Sequence, residues 1–261
     1  MNNEELKDDL LADFYAYMQN CNEAKDEGGY YSNGIHCSSL GMCHRKVVMD
    51  YYKFPKKEHQ LTTLLMFEGG NHFHRMVQAW IRNSARFMCL AEEFNVTEGL
   101  PKPITGKLDT VFQDITTGEI ILADVKTAMP NMFKNYMDML PKENHIIQVS
   151  AYAKGYQAMG YKYDKLAIMY FDRAGSNKPL IYFVEPYKDI DKLMDSYILA
   201  QLRYEQDRIM PERLQGKSWE CDYCDYMNVS CEGYIKDSKD DFADFVKKEN
   251  KKAKVKKCLT Q

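Results

Sequence analysis

No stretch of this 261-residue chain approaches the ~18 consecutive apolar residues from which a membrane-spanning helix is built, so no transmembrane helix is expected. The opening residues Met1-Asn2-Asn3-Glu4-Glu5 are polar and acidic where a secretory signal is basic and then apolar, and a cytoplasmic setting is expected. There is no G-x-x-x-x-G-K-[ST] phosphate loop, so any NTP-driven activity, such as that of a helicase, would come from a partner on a separate chain. An overall basic excess is also missing: the formal charge is −3. Positive charge is concentrated in residues 247–257, where seven lysines and one glutamate give +6 and leave −9 on the remainder. A run of this kind is ordinarily a solvated tail, although its lysines add a salt-sensitive attraction to phosphates. With 45% hydrophobic residues, the rest has ample material for one large domain or two small ones.

Two short stretches carry the chemistry. Gly106-Lys107-Leu108-Asp109 is followed, fifteen residues after the Asp, by Asp124-Val125-Lys126-Thr127. Each lies in an apolar run of strand character, Ile104 to Phe112 and Glu119 to Val125. The connection Asp114-Ile115-Thr116-Thr117-Gly118 reads as a hairpin turn. Pairing the strands through that turn brings Asp109 and Asp124 to one end of a small sheet, and strand alternation puts Lys126 on the face of Asp124. Carboxylate oxygens of this kind suit Mg²⁺ or Mn²⁺, and a lysine beside the ion can orient a water or stabilise developing charge. A lone D-x-K on a strand is more often a solvated face, so the neighbours matter. Upstream, Gly70 to His74 opens a segment with helical spacing (Phe73, Met76, Val77, Trp80, Ile81). Downstream, Gln148 and Tyr152 stand i and i+4 on a second helical run, Ile146 to Met159, and share a face.

In this order the four elements, G-x-x-x-H, G-x-x-D, D-x-K-T and Q-x-x-x-Y, resemble the RecB-like exonuclease branch of the PD-(D/E)xK nucleases over roughly residues 37 to 232. Each motif alone is weak, and the ordered set is strong. The resemblance implies metal coordination by His74, Asp109, Asp124 and the Val125 carbonyl, with Lys126 as the catalytic lysine. It implies that Gln148 and Tyr152 position the strand or support the lysine and a metal-bound water. It also selects His74 over His72, which periodicity alone does not. Glu93 reads as an ordinary polar strand residue, with an extra ligand as the other possibility. Members of this branch act on DNA, single-stranded or at duplex ends, in recombination, CRISPR adaptation and phage DNA metabolism. The implied activity is thus a Mg²⁺- or Mn²⁺-dependent DNA exonuclease, and the motifs leave RNA open. The competing class is a catalytically idle nuclease fold used as a DNA-binding scaffold and stapled by zinc.

There are eight cysteines, at 21, 37, 43, 89, 221, 224, 231 and 258. Cys221-x2-Cys224 followed by Cys231 is a cluster with metal-ligand spacing, and unpaired cysteines agree with a reducing compartment. Iron–sulfur members of the resembled family take a fourth thiolate from a Ser-x-Leu-x-x-Cys-x-Arg-Lys-like segment. Ser39-Leu40-Gly41-Met42-Cys43-His44-Arg45-Lys46 is similar. The resemblance therefore implies a [4Fe–4S] cluster on Cys43, Cys221, Cys224 and Cys231 that ties the two ends of the nuclease domain together. The last gap has six intervening residues where the family more often has five, and Asp225 stands where a proline is usual. Zn²⁺ on the same thiolates, or Cys37 in place of Cys43, is the alternative. Cys21, Cys89 and Cys258 read as ordinary thiols.

The expected fold is α/β: a restriction-endonuclease-like core, a small mixed sheet flanked by helices, with added helices and a cysteine metal staple. Residues 1–36 read as an N-terminal helix (4–19, with Leu6, Leu10, Phe14 and Tyr17 at helical spacing) and loop, 37–235 as the nuclease domain, and 236–261 as the Lys-rich tail. Helices are expected at about 39–53, 61–87 and 188–208, with Asn144 capping the helix of Gln148. Strands are expected at 91–97, 104–112, 119–125, 165–172 and 180–185.

Overall fold

A computed structural model describes residues 10–21, 34–130 and 141–235. Residues 10–21 are helical (α1). The further elements are β1 (Ile35–His36), α2 (His44–Tyr51), α3 (Leu61–Arg82), β2 (Phe87–Asn95), β3 (Ile104–Thr105), β4 (Lys107–Asp114), β5 (Ile120–Ala128), α4 (Glu143–Ala158), β6 (Lys165–Asp172), β7 (Leu180–Val184), α5 (Ile190–Asp207) and the single turn α6 (Trp219–Asp222). The chain divides into two compact units, one formed by residues 1–41 and 59–199, the other by 42–58 and 200–261.

The larger unit is built on a five-stranded sheet of order β2-β4-β5-β6-β7, with β1 and β3 as a separate two-residue pair. β2–β4, β4–β5 and β6–β7 are antiparallel and β5–β6 is parallel, so the sheet is mixed. The parallel pair needs a crossover, and α4 lies in that connection. The turn between β4 and β5 closes as the sequence indicates: Gly118 takes φ +78°, a conformation that favours glycine, and its N–H donates to the Asp114 carbonyl at 2.7 Å. Val77 and Ile81 of α3 pack on Phe112, Ile121, Ala123, Val125, Ala167 and Met169, and burial of such side chains stabilises by about 1.5–3 kcal/mol each. Alternation then sends Asp124, flanked by Ala123 and Val125, to the opposite face, where α4 meets it.

The smaller unit joins two segments far apart in sequence, through ring contacts of Tyr52 and Phe54 with Tyr204 and through polar contacts. Tyr226 Oη donates to Asp50 Oδ1 at 2.8 Å, Gln201 Nε2 to Tyr52 Oη at 2.8 Å, and Ser230 Oγ to the Pro55 carbonyl at 2.6 Å. The Cys43 N–H donates to Glu220 Oε2 at 2.8 Å.

Several expected boundaries shift. The helix from 61 ends at Arg82 rather than 87, because Ser84 Oγ accepts the N–H groups of Arg86 and Phe87, each at 3.1 Å, and turns the chain into a strand. That strand starts at Phe87, four residues before the expected 91. α2 covers only 44–51, preceded by a 3₁₀ turn at Cys37–Ser39. Lys142, whose side chain makes no capping hydrogen bond, stands at the N-cap of α4, so Asn144 lies inside the helix and does not cap it. Residues 4–9 of the expected first helix and the Lys-rich tail lie outside the described residues. No helix among the described residues is long and apolar enough to cross a membrane.

Candidate active site

The site forms where β4 and β5 part. Their ladder runs from Gln113↔Ile120 to Thr110↔Ala123 and stops there, although Asp109 and Asp124 would be the next pair. The freed Val125 N–H donates instead to Asp109 Oδ2 at 2.6 Å. That bond satisfies a backbone donor and fixes the carboxylate. Gly106 lets β4 approach this closely: a Cβ there would lie 2.7 Å from Cys37 Sγ and 3.0 Å from Tyr152 Cε1.

His74 of α3 reaches the same point, with Nδ1 3.4 Å from Asp109 Oδ2, while His72 is exposed. One turn further on, buried Gln78 donates from Nε2 to the Asp109 carbonyl and to Glu93 Oε1, both at 3.1 Å. Glu93 takes φ +50°, a left-handed conformation that is uncommon within a strand, and its Oε2 lies 2.8 Å from Lys107 Nζ. Ligand atoms of His74, Glu93 and Asp109 all lie within 4.8 Å of one another. Sequence reading passed over Gln78, although its i+4 spacing from His74 was a usable signal. Glu93 needed the β2–β4 register, which places it opposite Asp109.

Asp124 is 1% exposed. Its Oδ1 accepts from Gln148 Nε2 at 3.1 Å. Its Oδ2 lies 2.8 Å from Lys126 Nζ, yet the pair lacks hydrogen-bond alignment, so this buried oxygen has an ion-pair neighbour and no hydrogen bond. Lys126 Nζ instead donates to Gln148 Oε1 at 2.8 Å, and Gln148 Nε2 also donates to Tyr152 Oη at 2.8 Å. Gln148 thus ties Asp124, Lys126 and Tyr152 together from α4. Two further polar contacts border this group. Arg173 Nε donates to Thr127 Oγ1 at 2.9 Å, and His145 Nδ1 lies 2.8 Å from Tyr170 Oη.

Burial and neighbouring charge both shift the titration of these groups. Burial, reinforced by the charge of Asp109, raises the Asp124 pKa to about 6 against the opposing pull of Lys126 and His74. Burial by itself would depress the His74 imidazole, but the hydrogen bond and charge of Asp109, joined by Asp124, outweigh it and lift the pKa. Burial, with Lys126 and Lys142 nearby, lowers His145 to about 3, so that ring is neutral. A hydrogen-bond-free buried carboxylate oxygen beside a His/Glu/Asp cluster fits a divalent cation, whose charge would compensate the burial of the Asp124 carboxylate.

Residues 54–231 match the family model of the PD-(D/E)XK nuclease superfamily. The chain belongs to that superfamily. Among solved structures, the crystal structure of SSO0001 aligns with a TM-score of 0.50 at 16% identity, covering 84% of this chain and 97% of that one, a likeness of fold. The alkaline exonuclease LHK-Exo from Laribacter hongkongensis aligns with a TM-score of 0.47 at 10% identity, covering 67% of this chain and 93% of its own. Its complex with dAMP gives 0.46 and 10%, with 67% and 89% coverage. No curated protein matches the chain in sequence.

This PD-(D/E)XK chain also brings four of its cysteines to one place. Cys43, Cys221, Cys224 and Cys231 line a single cavity of the smaller unit. All seven cysteines among the described residues are free thiols. Cys37 belongs to the larger unit, buried against Gly106 and Tyr152. Burial raises the Cys43 thiol, with Glu220 and Cys224 adding to it, and burial raises Cys221, with the other three thiols adding. Thiols crowded in this way resist ionising together unless a cation accompanies them.

Proposed function

We propose that this chain is a Mg²⁺- or Mn²⁺-dependent deoxyribonuclease of the RecB-like, iron–sulfur branch, an exonuclease acting at DNA ends or on single strands. The observation that carries the reading is the convergence of His74, Asp109, Asp124 and Lys126 where β4 and β5 part, with one buried Asp124 oxygen left without a hydrogen bond. Asp109, Asp124, His74 and the Val125 carbonyl would hold the ion; His74, Asp109 and Glu93 already offer ligand atoms within 4.8 Å of one another, and Asp124, which is not in that trio, would close on it. When bound, the ion supplies Lewis acidity toward a phosphate oxygen and a water. Gln148 holds Lys126 Nζ, positioning the ammonium to orient that water or to stabilise charge on the phosphate. Glu93→Gln is expected to weaken Mg²⁺ binding about tenfold, as loss of a supporting carboxylate does, with calorimetry as the check. Unchanged affinity would return Glu93 to a purely structural role.

The cysteine cavity is read as a [4Fe–4S] site. A single zinc with ~2.3 Å bonds gathers four sulfurs to about 3.8 Å from one another. Among the described residues only His74, Glu93 and Asp109 form a trio of such ligands within 4.8 Å, so in any three of these four thiols at least one pair stands wider than that. The lack of a tight trio favours the larger centre. A cluster and unpaired thiols suit a reducing cytoplasm, and a helicase or a recombination or CRISPR-adaptation partner on a separate chain would supply unwinding.

End-labelled single-stranded and duplex DNA and RNA, incubated with Mg²⁺, Mn²⁺ or chelator, test the activity. DNA should be shortened from its ends with either metal and remain intact with chelator. Lys126→Ala should lose turnover while still binding metal. Tight DNA binding with no cleavage under any metal would replace this reading with the idle scaffold.

A further inference from the structure

Three cations line the cysteine cavity: Arg45, Lys46 and Arg213. Two have carboxylate partners. Lys46 Nζ lies 3.6 Å from Asp50 Oδ2, and Arg213 Nη1 lies 2.6 Å from Glu232 Oε2. Arg45 differs. Its Nη1 donates to the Pro211 carbonyl at 2.8 Å, which anchors the guanidinium, but no carboxylate among the described residues pairs with it. Its Nε is buried and has no acceptor. A buried donor left unbonded is costly, and more so when it carries charge, so native proteins rarely keep one.

The surroundings indicate which acceptor is missing. Backbone N–H groups already point at the thiols: Gly233 N–H at Cys231 Sγ, 3.4 Å away, those of Arg45 and Lys46 at Cys43, and that of Tyr234 at Cys221. This environment is built to donate to sulfur. Arg45 is the side chain in it with a spare N–H and an unpaired charge.

We propose that Arg45 Nε–H donates to a sulfur of the metal–thiolate centre held by Cys43, Cys221, Cys224 and Cys231, making Arg45 a positioning residue that sets the centre's redox properties. This rests on the reading of the cavity as a [4Fe–4S] site. A donor to sulfur, with a positive charge behind it, draws electron density from the metal–sulfur bonds and favours the more negative, reduced state. Without it the reduction potential falls.

The 261-residue protein, purified without oxygen, provides the test. Iron and acid-labile sulfide in the wild type check the underlying reading. Zinc in their place removes that reading and this inference with it. Given a loaded wild type, Arg45→Gln should keep its iron content but titrate at a lower midpoint potential when followed by electron paramagnetic resonance. Arg45→Lys, which keeps the charge but not the fork, should fall between the two. Loaded variants with wild-type potential overturn the proposal while leaving the cluster intact. If neither variant loads, wild-type protein labelled with ¹⁵N in arginine Nε decides. One Nε–H resonance displaced by cluster loading supports the bond to sulfur, and a set of unmoved resonances overturns it.

Discussion

Asp124→Asn should abolish metal-dependent cleavage and, at neutral pH, raise the melting temperature of the metal-free protein. The two effects share one cause. The Asp124 carboxylate is buried, one of its oxygens has no hydrogen bond, and its pKa stands at about 6 against an ordinary 3.8. A folded-state pKa above the unfolded value gives stability that is complete below the unfolded pKa and lost as pH rises through the folded one. The variant's advantage should therefore be small near pH 4, grow through about pH 6 and level off above it. Its size is on the order of 1–3 kcal/mol, and each kcal/mol is worth about 2–4 °C in a chain of this length. Asn keeps an acceptor for Gln148 Nε2, and Lys126 keeps its bond to Gln148 Oε1, so the architecture should persist. Cleavage should fall by at least about 10²–10³-fold, as with loss of one pre-aimed electrostatic group. Mg²⁺ should raise the melting temperature of the wild type by mass action and leave that of the variant nearly unmoved. Differential scanning fluorimetry over pH, paired with the end-label assay, checks both arms. A variant that still cuts, or that melts lower than wild type at neutral pH, removes Asp124 from the ion site.

If the proposed centre is held by Cys43, Cys43→Ser should lose it and cost the protein much of its stability. Cys43 and the Cys221–Cys231 segment come from ends of the chain separated by 177 intervening residues, yet their thiols line one cavity. A cross-link closing so long a loop constrains the unfolded chain by about 5 kcal/mol in the chain-entropy view. Part of that remains in the variant, because Tyr226–Asp50, Gln201–Tyr52 and Glu220 with the Cys43 N–H still join the two segments. A loss of about 2–5 kcal/mol is expected, which corresponds to a fall in melting temperature on the order of 5–15 °C. Iron and sulfide analysis beside thermal melts measures it. Cys89→Ser should change neither quantity. Full metal content in Cys43→Ser would mean that the centre has a different fourth ligand.

What could be read along the chain was what repeats locally. The Asp114–Gly118 turn, the shared face of Asp124 and Lys126, and the i, i+4 pair Gln148 and Tyr152 follow from turn chemistry and from the two- and 3.6-residue periods, and the structure shows all three. Helix ends were less legible. Ser84 ends α3 with a side-chain oxygen, and nothing in the apolar pattern before it announces the change.

Local sequence settles the hairpin, the shared face of Asp124 and Lys126 and the close spacing of the cysteine trio, because each depends on neighbours within one or two elements. Tertiary structure decided the rest. It turned His74 rather than His72 to Asp109, set Glu93 opposite Asp109 through the β2–β4 register, and used Gln78 to hold both. It also put Cys43 in the cavity of the other three thiols and left Arg45 Nε there without an acceptor. These depend on which strand pairs with which and on how segments far apart in sequence pack. Register and packing are settled by the summed burial and hydrogen bonding of a whole unit, and no local stretch of sequence carries that sum.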